Sequence, residues 1–336
     1  MGKIKVGILG ATGVVGQRFI RLLENHPWFE VVSLSASEKS LGKTYYESVK
    51  DRWLVGGSIP NYVRNLIIEE CKPNMDCKIV FSALDSSIAG EIEKEFAERG
   101  YIVVSNSRNH RMDEDVPLLI PEVNQEHLEL IKNKTSFIIT NPNCSVTGLI
   151  LALAPLHKKF RIKKIFVTTM QAISGAGYPG VASLEILDNV IPYIAGEEEK
   201  IESEPLKILG KLENGKIKFA DIKITAHCNR VNVSDGHLES VSFELEKKAE
   251  IEEIEKEIIN FNPLKELNLP TAPKYPVILM KENNRPQPKY DRNEGNGMSC
   301  TIGRIRKCNI LDYKVTILSH NTIRGAAGGA ILNAEI

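Results

Sequence analysis

Gly7-Ile8-Leu9-Gly10-Ala11-Thr12-Gly13-Val14-Val15-Gly16 is the stretch whose reading decides the fold of this chain. Residues 3–9 read as a short apolar strand, after which glycine recurs at every third position. Residues 14–23 have helical spacing and stop at Asn25-His26-Pro27, and residues 30–35 read as the next strand. The predicted unit is βαβ, with glycines at the first strand-to-helix turn, where a pyrophosphate can rest on a helix N-terminus. Gly10 permits the tight turn, Gly13 lets the backbone approach phosphates, and Gly16 lets the helix pack close to the sheet. The spacing is GxxGxxG rather than GxGxxG. The strand before and the helix after therefore carry as much of the reading as the glycines themselves.

Outward from that turn, the end of the second strand bears on the cofactor. A dinucleotide site for NAD usually has an acidic residue there for the ribose hydroxyls. This chain has Ser35-Ala36-Ser37 followed by Glu38-Lys39-Ser40. Hydroxyls and a lysine suit a 2′-phosphate, which points to NADP; the alternative leaves Lys39 a solvated loop charge and gives the ribose to Glu38. Runs 76–82 and 101–105 read as further strands around a helix at 89–99. Their carboxyl ends, with Ser82 on one, border the crevice of a doubly wound sheet. Arg111 follows, fit either to bind an anion or to pair with the nearby Asp113, Glu114 and Asp115.

At 336 residues the chain suits two domains. Lys plus Arg and Asp plus Glu balance at 43 each, which argues against a nucleic-acid footprint. No apolar run approaches a membrane span of about 20 residues. The strand starting at residue 4 follows too closely on Met1 for a signal peptide. The six cysteines are scattered without a CxxC pair. Unpaired thiols, no metal site and a reducing cytoplasm are expected.

The second half opens on Thr140-Asn141-Pro142-Asn143-Cys144-Ser145. A strand at 137–139 runs into a Pro-Asn turn, and a helix follows over 146–156. A sulfur at that helix start is either a nucleophile favoured by the dipole and free N–H groups or a buried structural thiol. Strands are predicted at 165–171, 219–227, 238–245, 277–280, 299–305 and 313–319, and helices at 198–209 and 251–260. Gln171-Ala172-Ile173-Ser174-Gly175-Ala176-Gly177 reads as a loop where backbone approaches a ligand, or as a plain flexible turn. The acidic run from Glu197 to Lys200 reads as a helix start, most simply a solvated face. His237, after Asp235-Gly236, suits a general base or a structural histidine. Residues 320–329 read as a small-residue helix that can pack back on the first domain.

Taken together, these motifs resemble aspartate-semialdehyde dehydrogenase, in the form found in archaea and fungi. The resemblance spans nearly the whole chain. It rests on Gly10-Ala11-Thr12-Gly13, Asn141-Pro142-Asn143-Cys144, Gln171 to Gly177, Cys228-Asn229-Arg230-Val231, Asp235-Gly236-His237, Arg285-Pro286-Gln287-Pro288, Asp291 to Met298 and Asn321-Thr322-Ile323-Arg324-Gly325. It implies an α/β fold: an N-terminal Rossmann-type doubly wound domain (1–141, with a C-terminal helix at 322–336 packed onto it) and an α+β catalytic and dimerisation domain with a mixed sheet (142–321). It also implies Cys144 as nucleophile, His237 as acid/base and Gln171 orienting the reacting group. Arg230 would grip the substrate carboxylate, Arg111 the phosphate, and Glu197, Lys200 and Asn143 would complete the substrate site. Gly10, Thr12, Gly13, Val14, Val15, Ser37, Lys39, Ser40, Ser82, Ser174, Gly175 and Asn321 are the implied NADP contacts. A homodimer or homotetramer is implied too. Family members usually continue the final helix beyond the position of Ile336, which bears on its packing. The implied reaction is reversible, phosphate-dependent and NADP-linked, through a cysteine thioester, in lysine, threonine and methionine biosynthesis. Malonyl-CoA reductase shares the fold and thioester chemistry, but the Asn-Pro-Asn-Cys-Ser and Asp-Gly-His stretches follow the semialdehyde pattern. A non-catalytic NADP sensor would have no need of Cys144, His237 and Arg230 together.

Overall fold

The computed structural model describes residues 2–336; Met1 lies outside the described residues. The first sheet holds β1 (Ile4–Leu9), β2 (Phe29–Ser35), β3 (Ile68–Glu69), β4 (Ile79–Ser82), β5 (Ile102–Ser105) and β6 (Phe137–Thr140). All pairings are parallel, in the order β3-β2-β1-β4-β5-β6. This is a doubly wound order. Its direction reverses between β1 and β4, so a crevice opens there at the strands' carboxyl ends. Helices α1 (Val14–Leu23), α2 (Tyr45–Val49), α3 (Ser86–Glu98) and α4 (Pro121–Asn124) belong to this part of the chain.

The glycine turn works by close approach. Gly10 has φ +77°, a backbone conformation that L side chains rarely adopt. A Cβ on Gly16 would lie 2.3 Å from the Gly10 carbonyl oxygen. α1 then buries Phe19, Ile20 and Leu23 along one stripe. Gly16→Ala is expected to push α1 off the sheet. It should cost about 1–3 kcal/mol and weaken dinucleotide binding, read by urea unfolding and fluorescence titration. An alanine variant as stable and as tight-binding as the parent would refute the close-packing account.

The remaining strands are β7 (Ile162–Gln171), β8 (Lys211–Glu213), β9 (Lys216–Lys218), β10 (Lys223–Arg230), β11 (His237–Leu245), β12 (Val277–Met280), β13 (Cys300–Lys307) and β14 (Tyr313–Ser319). Six of them form a mixed sheet ordered β10-β7-β11-β14-β13-β12, while β8 and β9 make a small hairpin. The helices are α5 (Cys144–Phe160), α6 (Ser183–Ile186), α7 (Glu197–Ile208), α8 (Ile251–Ile259), α9 (Pro288–Asp291) and α10 (Gly328–Glu335). α5 is apolar almost all round and is buried accordingly. It shares a core with α8 and the second sheet through Leu149, Leu153, Ile254, Val167 and Val241. No helix among the described residues is long and apolar enough to cross a membrane.

Element bounds move by a few residues at several places, and two differences matter for the site. The strand expected at 219–227 runs instead from Lys223 to Arg230. Its pairing with β7 continues through Cys228↔Thr169, Asn229↔Met170 and Arg230↔Gln171, whereas Phe219 is about half exposed. The small-residue segment at 320–329 is not one helix. A wide π-type turn, Ile323–Ala327, with a non-helical Ala326, precedes α10. Ala327, Ala330 and Ile331 join the first sheet's core beside Phe19 and Phe81. α10 is buried along most of its length although the chain ends at Ile336.

Candidate active site

The turn between β6 and α5 places the sulfur. Cys144 is the first helical residue, two positions earlier than the sequence spacing predicts. Asn143 caps the helix: its Oδ1 accepts the Ser145 N–H at 2.9 Å and the Val146 N–H at 3.3 Å. Behind it, a Cβ on Gly325 would fall 2.7 Å from the Cys144 Cβ, so the π-type turn presses directly on the thiol-bearing residue.

Three neighbouring strands end around that sulfur. β10 delivers Arg230, β7 delivers Gln171, and β11 begins at His237. His237 Nε2 lies 3.2 Å from Cys144 Sγ. The Ala172 N–H donates to His237 Nδ1 at 3.0 Å. These two partners assign the proton of the neutral ring to Nε2, facing the sulfur. Of the acid/base role expected from the sequence, this geometry supplies the donor half.

The electrostatics correct one expectation. The helix start, through its dipole and free N–H groups, is expected to favour the thiolate. Here burial, with the Glu197 carboxylate next, pushes the Cys144 thiol up, against the pull of Arg111, Arg230 and Lys200. Burial, reinforced by the Arg230 charge, pushes the His237 imidazole down. Both shifts favour the neutral thiol and imidazole over the ion pair. Cys144 is half-buried on the cleft, so water reaches one side of it, which tempers the push.

Glu197 organises the rest. It accepts from Asn143 Nδ2 at 2.8 Å, Gln171 Nε2 at 3.2 Å and Lys200 Nζ at 2.7 Å. Burial opposes its ionisation, but Lys200 and these hydrogen bonds hold its carboxyl below the usual range. Of the acidic run, Glu199 alone is solvent-exposed, while Glu198 accepts the Cys228 N–H. The solvated-face reading therefore fits Glu199 and not Glu197. Glu197→Gln should lower the Cys144 pKa, because a negative charge disappears and Lys200 loses its partner. The rate of iodoacetamide labelling should rise at a lower pH than in the parent; an inflection at equal or higher pH would show the sign to be wrong.

Arg230 is buried and donates to the Ala172 carbonyl at 2.7 Å. Arg111 is buried as well and does not pair with Asp113, Glu114 or Asp115. It donates to Glu204 at 2.8 Å and to the Asn106 carbonyl at 2.9 Å. Asn321 bridges the Ser174 hydroxyl and the Gly236 N–H.

A cleft of about 650 Å³ runs from the glycine turn to Cys144. Gly10, Thr12, Gly13, Val14, Val15, Ser37, Ser174, Gly175 and Asn321 line it, and so do Arg111, Asn143, Glu197 and Lys200. No side chain caps α1 at this end, so its first-turn N–H groups are available to an anion. With the Gly10 and Gly16 approaches, this fits a dinucleotide pyrophosphate. Ser82, at the end of β4, and Ser40, in the turn after β2, are buried and do not line the cleft. Lys39 is exposed beside Ser37 without lining the cleft. Arg108 and Tyr178 line it too, and no motif in the sequence points to either.

Sequence comparison gives the same answer by an independent route. The family profile "Semialdehyde dehydrogenase, NAD binding domain" matches residues 5–131, and "Semialdehyde dehydrogenase, dimerisation domain" matches residues 153–324. The aspartate-semialdehyde dehydrogenase of Archaeoglobus fulgidus is 52% identical, covering 99% of this chain and 98% of its own. The chain belongs to the aspartate-semialdehyde dehydrogenase family. A Saccharomyces cerevisiae member is 45% identical over 100% of this chain and 98% of its own. The crystal structure of the Candida albicans member with NADP superposes with a TM-score of 0.92 at 42% identity, covering 99% of this chain and 98% of that one. As a member of this family the chain is an oxidoreductase.

Proposed function

We propose that this chain catalyses the reversible, NADP-dependent and phosphate-dependent oxidation of L-aspartate 4-semialdehyde to L-4-aspartyl phosphate. In biosynthesis toward lysine, threonine and methionine it would run in the reductive direction. The observation that carries the reading is the 3.2 Å approach of buried His237 Nε2 to Cys144 Sγ, which lines a dinucleotide-sized cleft at the start of a capped helix. The Candida albicans relative with bound NADP supports the cofactor.

The chain's own residues divide the work. The thiol loses its proton to the cleft water, and Arg111, Arg230 and Lys200 stabilise the thiolate. Its sulfur bonds to the aldehyde carbon, and the new oxyanion accepts the His237 Nε2 proton as a hydrogen bond. Arg230, a planar fork, suits the substrate α-carboxylate. Bound NADP supplies the hydride chemistry. A phosphate oxygen then bonds to the thioester carbon, the C–S bond breaks, and the sulfur keeps the electron pair. Arg111 and Lys200 offset the phosphate charge, while Gln171 and Asn143 orient the reacting group. Gly10 to Val15, Ser37, Ser174, Gly175 and Asn321 hold the cofactor, with Lys39 near its 2′-phosphate.

The domain division falls, on this reading, at 141/142, with 322–336 returning to the first domain. A homodimer or homotetramer in the cytoplasm is proposed. Exposed Phe166 and Ile310 on the second sheet's side support self-association. The test is an assay with semialdehyde, phosphate and NADP or NAD, with Cys144 alkylated as control. Exclusive turnover of malonyl-CoA would overturn the substrate assignment.

A further inference from the structure

We infer that Glu204 is the positioning residue for the phosphate step, tying the anion-binding Arg111 to the turn that carries Cys144. The inference rests on the functional reading above. α7 presents Glu197, Lys200, Glu204 and Lys207 at intervals of three and four residues, hence on one face. Glu197 and Lys200 reach the cleft. Glu204, only 2% exposed, lies one layer behind. Its two oxygens part company: Oε1 accepts from Arg111 Nη1 at 2.8 Å, and Oε2 accepts the Asn143 backbone N–H at 2.7 Å. One carboxylate thus joins the loop after β5 to the residue immediately before the nucleophile.

The same helix fixes that loop's backbone. Lys207, almost fully buried, donates to the carbonyls of Arg111, Asp113 and Val116 at 2.7–2.8 Å. Arg111 is therefore held at its main chain by Lys207 and at its guanidinium by Glu204. Its Nε is buried without a partner, while the residue lines the cleft. A guanidinium anchored by a charged, bidentate-capable group behind it meets an incoming phosphate without first being ordered. Glu204 does not line the cleft and acts through Arg111.

Glutamine at 204 has one acceptor oxygen, so its amide must face either the Arg111 or the Asn143 donor with no bond to make. In Glu204→Gln the KM for phosphate should rise about tenfold or more, while the phosphate-free burst of NADPH slows less than about threefold. Glu204→Asp keeps the charge on a shorter arm and should fall between the two. Should Glu204→Gln fail to fold, the aspartate variant carries the same comparison. On an Arg111→Ala background Glu204→Gln should add less than about twofold, since the residue acts through the missing guanidinium. A phosphate KM within about twofold of the parent in both Glu204 variants overturns the inference. So do equal losses in burst and phosphate steps, or full additivity with Arg111→Ala. Wild-type turnover that ignores phosphate is a separate failure: it removes the functional reading, and the inference falls with it.

Discussion

Cys144→Ser abolishes phosphate-dependent oxidation of the semialdehyde by at least about 10⁴-fold, because a serine hydroxyl beside a neutral imidazole that offers a proton rather than a lone pair has no base to ionise it. In the proposed mechanism the sulfur carries the acyl group. Its thiol lines the cleft with the His237 donor 3.2 Å away. The fold should survive, since serine keeps the helix-start position and Asn143 still caps the helix. NADP affinity and thermal midpoint should therefore match the parent while the NADPH burst disappears. A serine variant that retains the burst at the parental rate would falsify the nucleophile assignment.

The largest stability effect is expected at Arg324 and Glu122. The guanidinium sits in the π-type turn that presses on Cys144. Its Nη1 and Nη2 donate to the two Glu122 oxygens at 2.8 and 2.6 Å, and both side chains are at most 1% exposed. Glu122→Gln or Arg324→Met leaves one buried partner uncompensated, at a cost of about 3–5 kcal/mol. The thermal midpoint should drop by roughly 10 °C. Replacing both partners by apolar residues of similar volume should recover most of that loss. Calorimetry on the two single variants and the double one decides the matter. Single variants within about 1 kcal/mol of the parent would mean the pair contributes no more than a surface contact.

The parts of this molecule written in local pattern were readable from the chain alone. α1 spans the predicted 14–23, because its apolar stripe and glycine turn are consecutive in sequence. Cys144 at a helix start follows from a Pro-Asn turn between an apolar strand and an apolar helix. What could not be read depends on residues brought together from far apart. Glu204 holds Arg111 across 93 positions, and no spacing rule links them. Glu197 looked like one of three solvated acids until tertiary packing turned it inward and the Glu199 side chain outward. Ser82 ends β4 and Ser40 follows the end of β2, yet both are buried and neither lines the cleft. The upward push on the Cys144 thiol is hidden for the same reason, since the helix start is a local feature whereas the Glu197 charge and the burial are not.

The pairing of β10 with β7 sets Arg230 opposite Gln171, one residue before the Gly-rich loop. Side chains alternate across a pleated strand, so inserting or deleting a single residue within Lys223–Asn229 would flip the guanidinium onto the sheet's reverse side. On the proposed reading, in which that guanidinium grips the substrate carboxylate, the strand's residue count is fixed by which face Arg230 must take, a constraint that the connecting loops do not share.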